Sequence, residues 1–115
     1  MIFINLTPHT INYYVDGKLD RSFEPSGIVA RIKEETSIWG EVFGLKLVRK
    51  NYSTVENLPS FTKINDCAGE YIYIVSGLVK MAVGGRHDVI APDTGDGAVR
   101  NDLGQIIGTK QFILS

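Results

Sequence analysis

Turn-forming residues interrupt this chain at short intervals. The apolar runs between them are short, with the length that is typical of β-strands. Asp16-Gly17 lies between two β-prone runs and predicts a tight hairpin. Pro25, Gly27 and Pro92 mark further turns. The runs between the turns predict strands at residues 2–6, 11–15, 19–23, 28–33, 45–48, 71–75, 88–91 and 106–114. We therefore expect the chain to consist mainly of antiparallel strands.

One short helix is predicted between the later strands. Ser76 is suited to be its N-cap, and Gly84-Gly85 is suited to end it. The segment between them, residues 78–83, is apolar on most sides of a helix. Such a helix is expected to be buried, either in the core or between subunits.

Two segments do not follow these patterns. Residues 34–44 stay ambiguous because Gly40 and Gly44 would interrupt a helix, and residues 53–70 predict a long loop. The coarse prediction is an α+β fold, with a mainly antiparallel sheet and one or two short helices. We expect a single domain over residues 1–115, because a chain of this length has no room for a second core.

The charge balance limits the class of partner. Twelve Lys and Arg residues stand against thirteen Asp and Glu residues, which gives a formal net charge of -1. Polymeric nucleic acid and membrane surfaces attract proteins with a basic excess, so neither partner is expected. A local basic pocket for a small anion remains compatible with this balance. The chain has no apolar run of about 20 residues and no features of a signal peptide, so a cytoplasmic location is expected.

No pattern typical of a catalytic or metal site occurs in the sequence. Cys67 is the one cysteine, and His9 and His87 lie in predicted turns, so a packing or surface cysteine is favoured over a nucleophile. The acidic pair Asp93 and Asp96 lacks the terminal glutamate of a calcium loop. We expect no catalytic residue, no metal and no cofactor.

The most polar segment, residues 86–110, is the candidate binding region. Glycines allow backbone N–H groups to approach an anion, arginine offers two parallel donors to a phosphate, and Thr and Asp suit ribose hydroxyls. The candidates within it are Arg86, Pro92, Asp93, Thr94, Arg100 and Lys110. Composition alone favours the alternative, an ordinary solvated hairpin with hydrophilic turns.

Several stretches along nearly the whole chain resemble, in the same order, a family of small phage and prophage proteins. They are Ile4-Asn5-Leu6-Thr7-Pro8-His9, Pro25-Ser26-Gly27-Ile28-Val29-Ala30-Arg31, Asn57-Leu58-Pro59, Tyr73-Ile74-Val75-Ser76, Val89-Ile90-Ala91-Pro92-Asp93-Thr94-Gly95 and the stretch from Ala98 to Gly108. The chain resembles the first-described family of Thoeris anti-defence proteins, which are phage sponges for immune signalling nucleotides. The segment before Tyr73 departs from the family by being long and polar.

The resemblance implies binding without chemistry. Such proteins sequester glycocyclic ADP-ribose isomers made by TIR-domain enzymes, and some also hold cyclic di- or trinucleotides of cGAS-like antiphage defence at a separate site in a hexamer. A homo-oligomer, from dimer to hexamer, with a pocket at a subunit interface is therefore expected. Arg100 has the best-preserved surroundings, and Tyr52, Tyr71 or Tyr73 would supply a surface on which a base stacks. Two alternatives stay open: a phage structural or assembly protein, and a small hydrolase of the same nucleotides.

Overall fold

The computed structural model describes residues 2–59, 71–84 and 86–114, and it has ten strands and one helix in these ranges. The elements in chain order are β1 (Ile2–Asn5), β2 (Ile11–Val15), β3 (Lys18–Phe23), β4 (Arg31–Val42), β5 (Leu45–Glu56), β6 (Tyr71–Ile74), α1 (Gly77–Val83), β7 (Val89–Pro92), β8 (Ala98–Arg100), β9 (Ile106–Thr109) and β10 (Phe112–Ile113). The predicted α+β class is confirmed. Within the described ranges, no helix is long and apolar enough to cross a membrane.

The strands form two mixed four-stranded sheets and one separate pair. The first sheet has the order β1-β6-β7-β10, in which β6 runs parallel to both β1 and β7. Its centre is parallel because α1 carries the chain from the end of β6 back to the start of β7. The second sheet has the order β3-β2-β9-β8 and is built from two hairpins. The β4–β5 hairpin stands apart, and we call it the arm (residues 31–56).

The hydrophobic core lies between one face of the first sheet and α1. Its members lie in β6, α1 and β7, directly after β1 and β6, and directly before the arm: Leu6, Ala30, Tyr73, Val75, Val79 and Val89. On the opposite face, an aromatic cluster joins the two four-stranded sheets. Phe23 lies 5.2 Å from Phe3 and 6.1 Å from Phe112, and Tyr13 lies 5.8 Å from Phe112, measured between ring centroids.

Two local predictions are confirmed by hydrogen bonds and dihedral angles. Asp16 and Gly17 have φ values of 50° and 78°, as a two-residue hairpin loop requires. Ser76 caps α1, because its Oγ accepts a hydrogen bond of 3.3 Å from the Val79 amide. Burial of the helix is one-sided, however, since Val79 is 2% exposed whereas Met81 is 82% exposed.

Other boundaries differ from the prediction. The strand expected from residue 28 begins at Arg31, and Ile28 is exposed. The ambiguous residues 34–44 belong to the arm, where the glycines occur at a register shift and in the turn rather than in a broken helix. Of the loop expected at residues 53–70, residues 53–56 belong to β5, whereas Cys67 lies outside the described residues. The final predicted strand, residues 106–114, is divided into β9 and β10.

Candidate functional site

The eight residues predicted to bind a ligand do not come together at one site. Pro92, Asp93, Thr94 and Lys110 lie around the loop of residues 92–97, which we call the Asp93 loop. The remaining four lie in three other places. Arg100 ends β8, Tyr52 lies on the arm, and Tyr73 of β6 lies near Arg86, which precedes β7. Asp88 precedes β7 and Pro92 ends it, so about 13 Å of extended chain separates them. The residues near Arg86 and those of the Asp93 loop therefore lie at opposite ends of this strand.

Asp93 uses its carboxylate to hold its own loop. Oδ1 accepts a hydrogen bond of 2.9 Å from the Gly95 amide, and Oδ2 accepts bonds of 3.1 Å from the Gly97 amide and 2.7 Å from the Gln111 side chain. The Gln111 bond above all, with the two amides, holds the pKa of the Asp93 carboxyl below its usual value. Both oxygens therefore already have partners, although they were predicted to be acceptors for ribose hydroxyls.

Thr109 is buried against the Asp93 loop and is 1% exposed. Its Oγ lies 2.9 Å from the Asp93 carbonyl oxygen and 2.7 Å from the Gln111 carbonyl oxygen. Gly97 is required here because a Cβ would lie 2.5 Å from Cγ of Gln111. Thr94 and Lys110 remain exposed on the outside of the loop.

Arg100 also serves a turn. Its Nη1 donates a hydrogen bond of 2.6 Å to the Gly104 carbonyl oxygen, across the turn of residues 101–105. Asn101 Oδ1 accepts bonds from the Leu103 and Gln105 amides and completes that turn. The motif around Arg100 thus has a structural purpose that is independent of any ligand.

A cluster of charged and aromatic side chains at the end of the first sheet is the best candidate site. We call it the basic–aromatic cluster, and its members are Tyr71, Tyr73, Lys80, Arg86 and Asp88. The Lys80 ammonium donates a hydrogen bond of 3.0 Å to the Arg86 carbonyl oxygen. Arg86 binds Asp88 with two hydrogen bonds, of 2.9 Å and 2.7 Å. The Tyr73 amide in turn donates to the Asp88 carbonyl oxygen at 2.8 Å.

The two tyrosines of the cluster form a stacked pair. Their rings are 6.4 Å apart between centroids and inclined by 15°. Tyr73 is 9% exposed and belongs to the core, whereas Tyr71 is 51% exposed. Tyr71 is therefore the accessible ring of the pair, and Tyr73 connects it to Asp88 and Arg86, whose charges act on the Tyr73 hydroxyl.

The electrostatics of the cluster favour an anion. Lys80 is 4% exposed, and this burial lowers the pKa of its ammonium group. Burial first, and then the negative charge of Asp88, raises the pKa of the Tyr73 hydroxyl. Lys80 and Arg86 carry two positive charges against the one negative charge of Asp88. An anionic group brought to this cluster would compensate the remaining positive charge.

Lys80 was missed as a candidate in the sequence. The available signal was its position as the one charged residue in the apolar segment 78–83. A lysine at such a position either extends to solvent along the helix surface or is buried with a partner. Only the tertiary structure distinguishes these outcomes, because the carbonyl group that it meets belongs to Arg86 beyond the helix.

A shallow apolar groove lies elsewhere, where the arm joins the core. It has a volume of about 300 Å³, and its apolar lining comes from Leu6, Pro8, Val29, Ala30, Ile32, Leu78 and Val79. Among the residues that the structure describes, no group of three or more His, Cys, Asp or Glu side chains is placed to hold a metal ion. The chain matches no protein-family model, and neither curated proteins nor solved structures include a significant match to it.

Proposed function

We propose that this protein binds and sequesters a small cyclic nucleotide signal without cleaving it. The class of ligand follows from the resemblance to the Thoeris anti-defence family, with glycocyclic ADP-ribose isomers as the first candidates and cyclic di- or trinucleotides as the second. The observation that supports binding is the buried Lys80 ammonium beside Arg86 and the exposed Tyr71 ring. The cluster combines a compensating positive charge with a stacking surface, which are the two features that a nucleotide needs.

Sequestration requires tight binding, which is difficult to achieve with the small surface of a chain of this size. A nanomolar dissociation constant corresponds to about 12 kcal/mol of binding free energy. Stacking of one base on a tyrosine supplies about 1–3 kcal/mol, so charge-assisted hydrogen bonds to the phosphates must supply much of the remainder. In this proposal the partly exposed Arg86 guanidinium donates those bonds, and Asp88 keeps it oriented in the free protein. The buried Lys80 ammonium adds positive charge behind the site and holds the Arg86 carbonyl oxygen.

Two pairs of matched variants test this site. Lys80→Met removes the buried ammonium and fills the same space, and Lys110→Met makes the same change on the exposed side of the Asp93 loop. Tyr71→Ala removes the exposed ring of the cluster, and Tyr52→Ala removes an exposed tyrosine of the arm. Calorimetric titrations would use cyclic ADP-ribose isomers and cyclic di- and trinucleotides as ligands.

The proposal predicts that the cluster variants lose affinity while their controls do not. Lys80→Met should weaken binding of the tightest nucleotide by about 2 kcal/mol, which is roughly thirtyfold, because the site loses a buried positive charge and Arg86 loses the ammonium that holds its carbonyl oxygen. Tyr71→Ala should cost about 1–3 kcal/mol of stacking. Unchanged affinity in both cluster variants, with weakened binding in Lys110→Met, would move the site to the Asp93 loop.

The second candidate function is a phage structural or assembly protein without a ligand. The arm favours it, since the described side chains of residues 33–39 and 41–54 are exposed. A long exposed hairpin is typical of proteins that hold neighbouring subunits. Absence of binding to every nucleotide in the titrations, together with stable assembly, would support this second function.

A further inference from the structure

The apolar groove where the arm joins the core, which we call the Arg31 groove, is a second concave surface. Its deepest part is formed by the core side chains Leu6, Ala30 and Val79, which are 2–4% exposed. Its sides are formed by apolar side chains from four places along the chain: Pro8, Val29, Ile32 and Leu78. None of the five described residues of the basic–aromatic cluster lines it. Its volume of about 300 Å³ lies at the lower end of the range of small-molecule sites.

Of the described residues that line the Arg31 groove, one is charged, and its charge is positive. This residue, Arg31, begins β4 and is exposed. Glu56 lies directly opposite Arg31 in the arm, yet the ion pairs among the described residues do not include one between these two. The Arg31 guanidinium can therefore donate its hydrogen bonds to a ligand. A single anionic group is the complement of this charge.

Two hydroxyl groups also line the Arg31 groove, and they differ in what they can still bind. Thr7 is 6% exposed, and its Oγ already donates a hydrogen bond of 2.7 Å to Asn5 Oδ1. Ser76 is exposed, and its Oγ accepts the hydrogen bond of 3.3 Å from the Val79 amide, which leaves the hydroxyl proton for another acceptor. The groove thus combines an apolar surface with two donors, Arg31 and Ser76.

The size and the lining of the groove indicate the shape of its ligand. At about 30 Å³ for each water-sized group, 300 Å³ holds about ten non-hydrogen atoms. An alkyl chain of about eight carbons that ends in a carboxylate has this size. A hydrocarbon chain brings no polar group against the buried side chains. A peptide would bring backbone N–H and C=O groups that the apolar lining leaves unpaired, so a small molecule is favoured over a peptide.

We propose that the Arg31 groove binds the anion of a small apolar carboxylic acid, such as a medium-chain fatty acid. The alkyl chain covers Leu6, Leu78 and Val79, and the carboxylate accepts hydrogen bonds from Arg31 and Ser76. The proposal uses no residue of the basic–aromatic cluster. It therefore stands or falls separately from the nucleotide proposal.

Octanoate and 1-octanol are the probes that test the proposal, because they share a chain length and differ in charge. Amide signals of the full chain are followed by NMR during titration with each probe. Octanoate should shift the amides of residues 6–7, 29–32 and 76–79 in a saturable manner. It should also bind at least about tenfold more tightly than 1-octanol, because hydrogen bonds to a charged group are the stronger ones. Shifts that spare these residues, or equal affinities for the two probes, would overturn the proposal.

Arg31→Met and Arg49→Met form a matched pair for the charge. Arg49 is an exposed arginine of the arm and does not line the groove. Arg31→Met should lower the affinity for octanoate about tenfold or more and leave the affinity for 1-octanol unchanged. Arg49→Met should leave both affinities unchanged. Equal affinity of the two variants for octanoate would contradict the role of Arg31.

Leu78→Gln and Met81→Gln form a matched pair for the apolar surface. Leu78 lines the groove and is 42% exposed, whereas Met81 lies on the same helix outside the groove and is 82% exposed. Leu78→Gln should weaken binding of both probes by about fourfold or more, which is the effect of one lost methylene contact. Met81→Gln should weaken neither. Unchanged binding of both probes to Leu78→Gln would show that the alkyl chain does not lie in the groove.

Discussion

Asn5 illustrates how a single buried side chain organises the start of the fold. It is 2% exposed, and its amide donates hydrogen bonds to the carbonyl oxygens of His9 at 2.8 Å and Phe23 at 2.9 Å. Its Oδ1 accepts from both the amide and the hydroxyl of Thr7. The donors and the acceptor of the Asn5 side chain are thereby satisfied, as burial of a polar group requires. The Asn5-Leu6-Thr7-Pro8-His9 stretch has a structural reason that is separate from any ligand.

Asp93 gives a prediction on the pH dependence of stability. Because its pKa is lowered in the folded protein, the carboxylate contributes stability above its unfolded value of 3.8, and this contribution is lost as the pH falls below that value. Asp93→Asn should therefore melt at a lower temperature than the unmodified protein at neutral pH, because the Gly97 amide then faces a donor. The difference should shrink as the pH falls below 3.8.

Asp96→Asn is the matched control in thermal melts across this pH range. Asp96 is exposed in the same loop, and the loop amides of Gly95 and Gly97 bind Asp93 instead. A difference for Asp93→Asn that persists unchanged at acid pH would show that the carboxylate does not hold the loop.

At the scale of elements, the packing of β9 against β2 depends on a glycine. A Cβ at Gly108 would lie 2.5 Å from the Tyr14 ring and 2.6 Å from the Asn12 carbonyl oxygen. Gly108→Ala should therefore lower the free energy of unfolding by about 1–3 kcal/mol, as overpacking does. Gly77→Ala, at the start of α1, meets nothing within 4 Å and should be neutral or stabilising by up to about 1 kcal/mol. Chemical denaturation of both variants measures the difference, and equal stabilities would contradict the packing described here.

Elements defined by neighbouring residues were predictable from the sequence, whereas elements defined by distant partners were not. The Asp16-Gly17 hairpin and the Ser76 cap each depend on a few consecutive residues, so their residue types were sufficient. The parallel pairing of β1 with β6 joins segments about 70 residues apart, and no local pattern encodes it. The arm was missed because Gly40 and Gly44 were interpreted as interruptions, although a register shift and a turn accommodate them within one hairpin.

The candidate site was likewise predictable only in its local residues and not in the distant residues that the fold brings to them. Glycines, Thr and Asp in residues 92–97 predicted a binding loop, but those residue types also stabilise turns, and the structure uses Asp93 for the turn. Arg86 and Tyr73 were named from the sequence. Their association with Lys80 required the crossover of α1, which brings the helix back over the start of β7.

At the scale of the whole molecule, the chain separates a small packed body from an extended arm. The core cluster is formed by β1, β6, α1 and β7, and the basic–aromatic cluster lies at the end of this sheet. The arm is a separate sheet of two strands. In our account the nucleotide binds to the body through the basic–aromatic cluster.

Release of bound nucleotide tests the central claim most directly. An excess of protein is incubated with cyclic ADP-ribose isomers and cyclic di- and trinucleotides, separated by filtration and denatured, and each fraction is analysed by mass spectrometry. We predict that at least one nucleotide disappears from the filtrate and returns with unchanged mass on denaturation. A nucleotide that returns with an altered mass would show catalysis, and a filtrate that retains every nucleotide would show no capture. Either result would contradict the account.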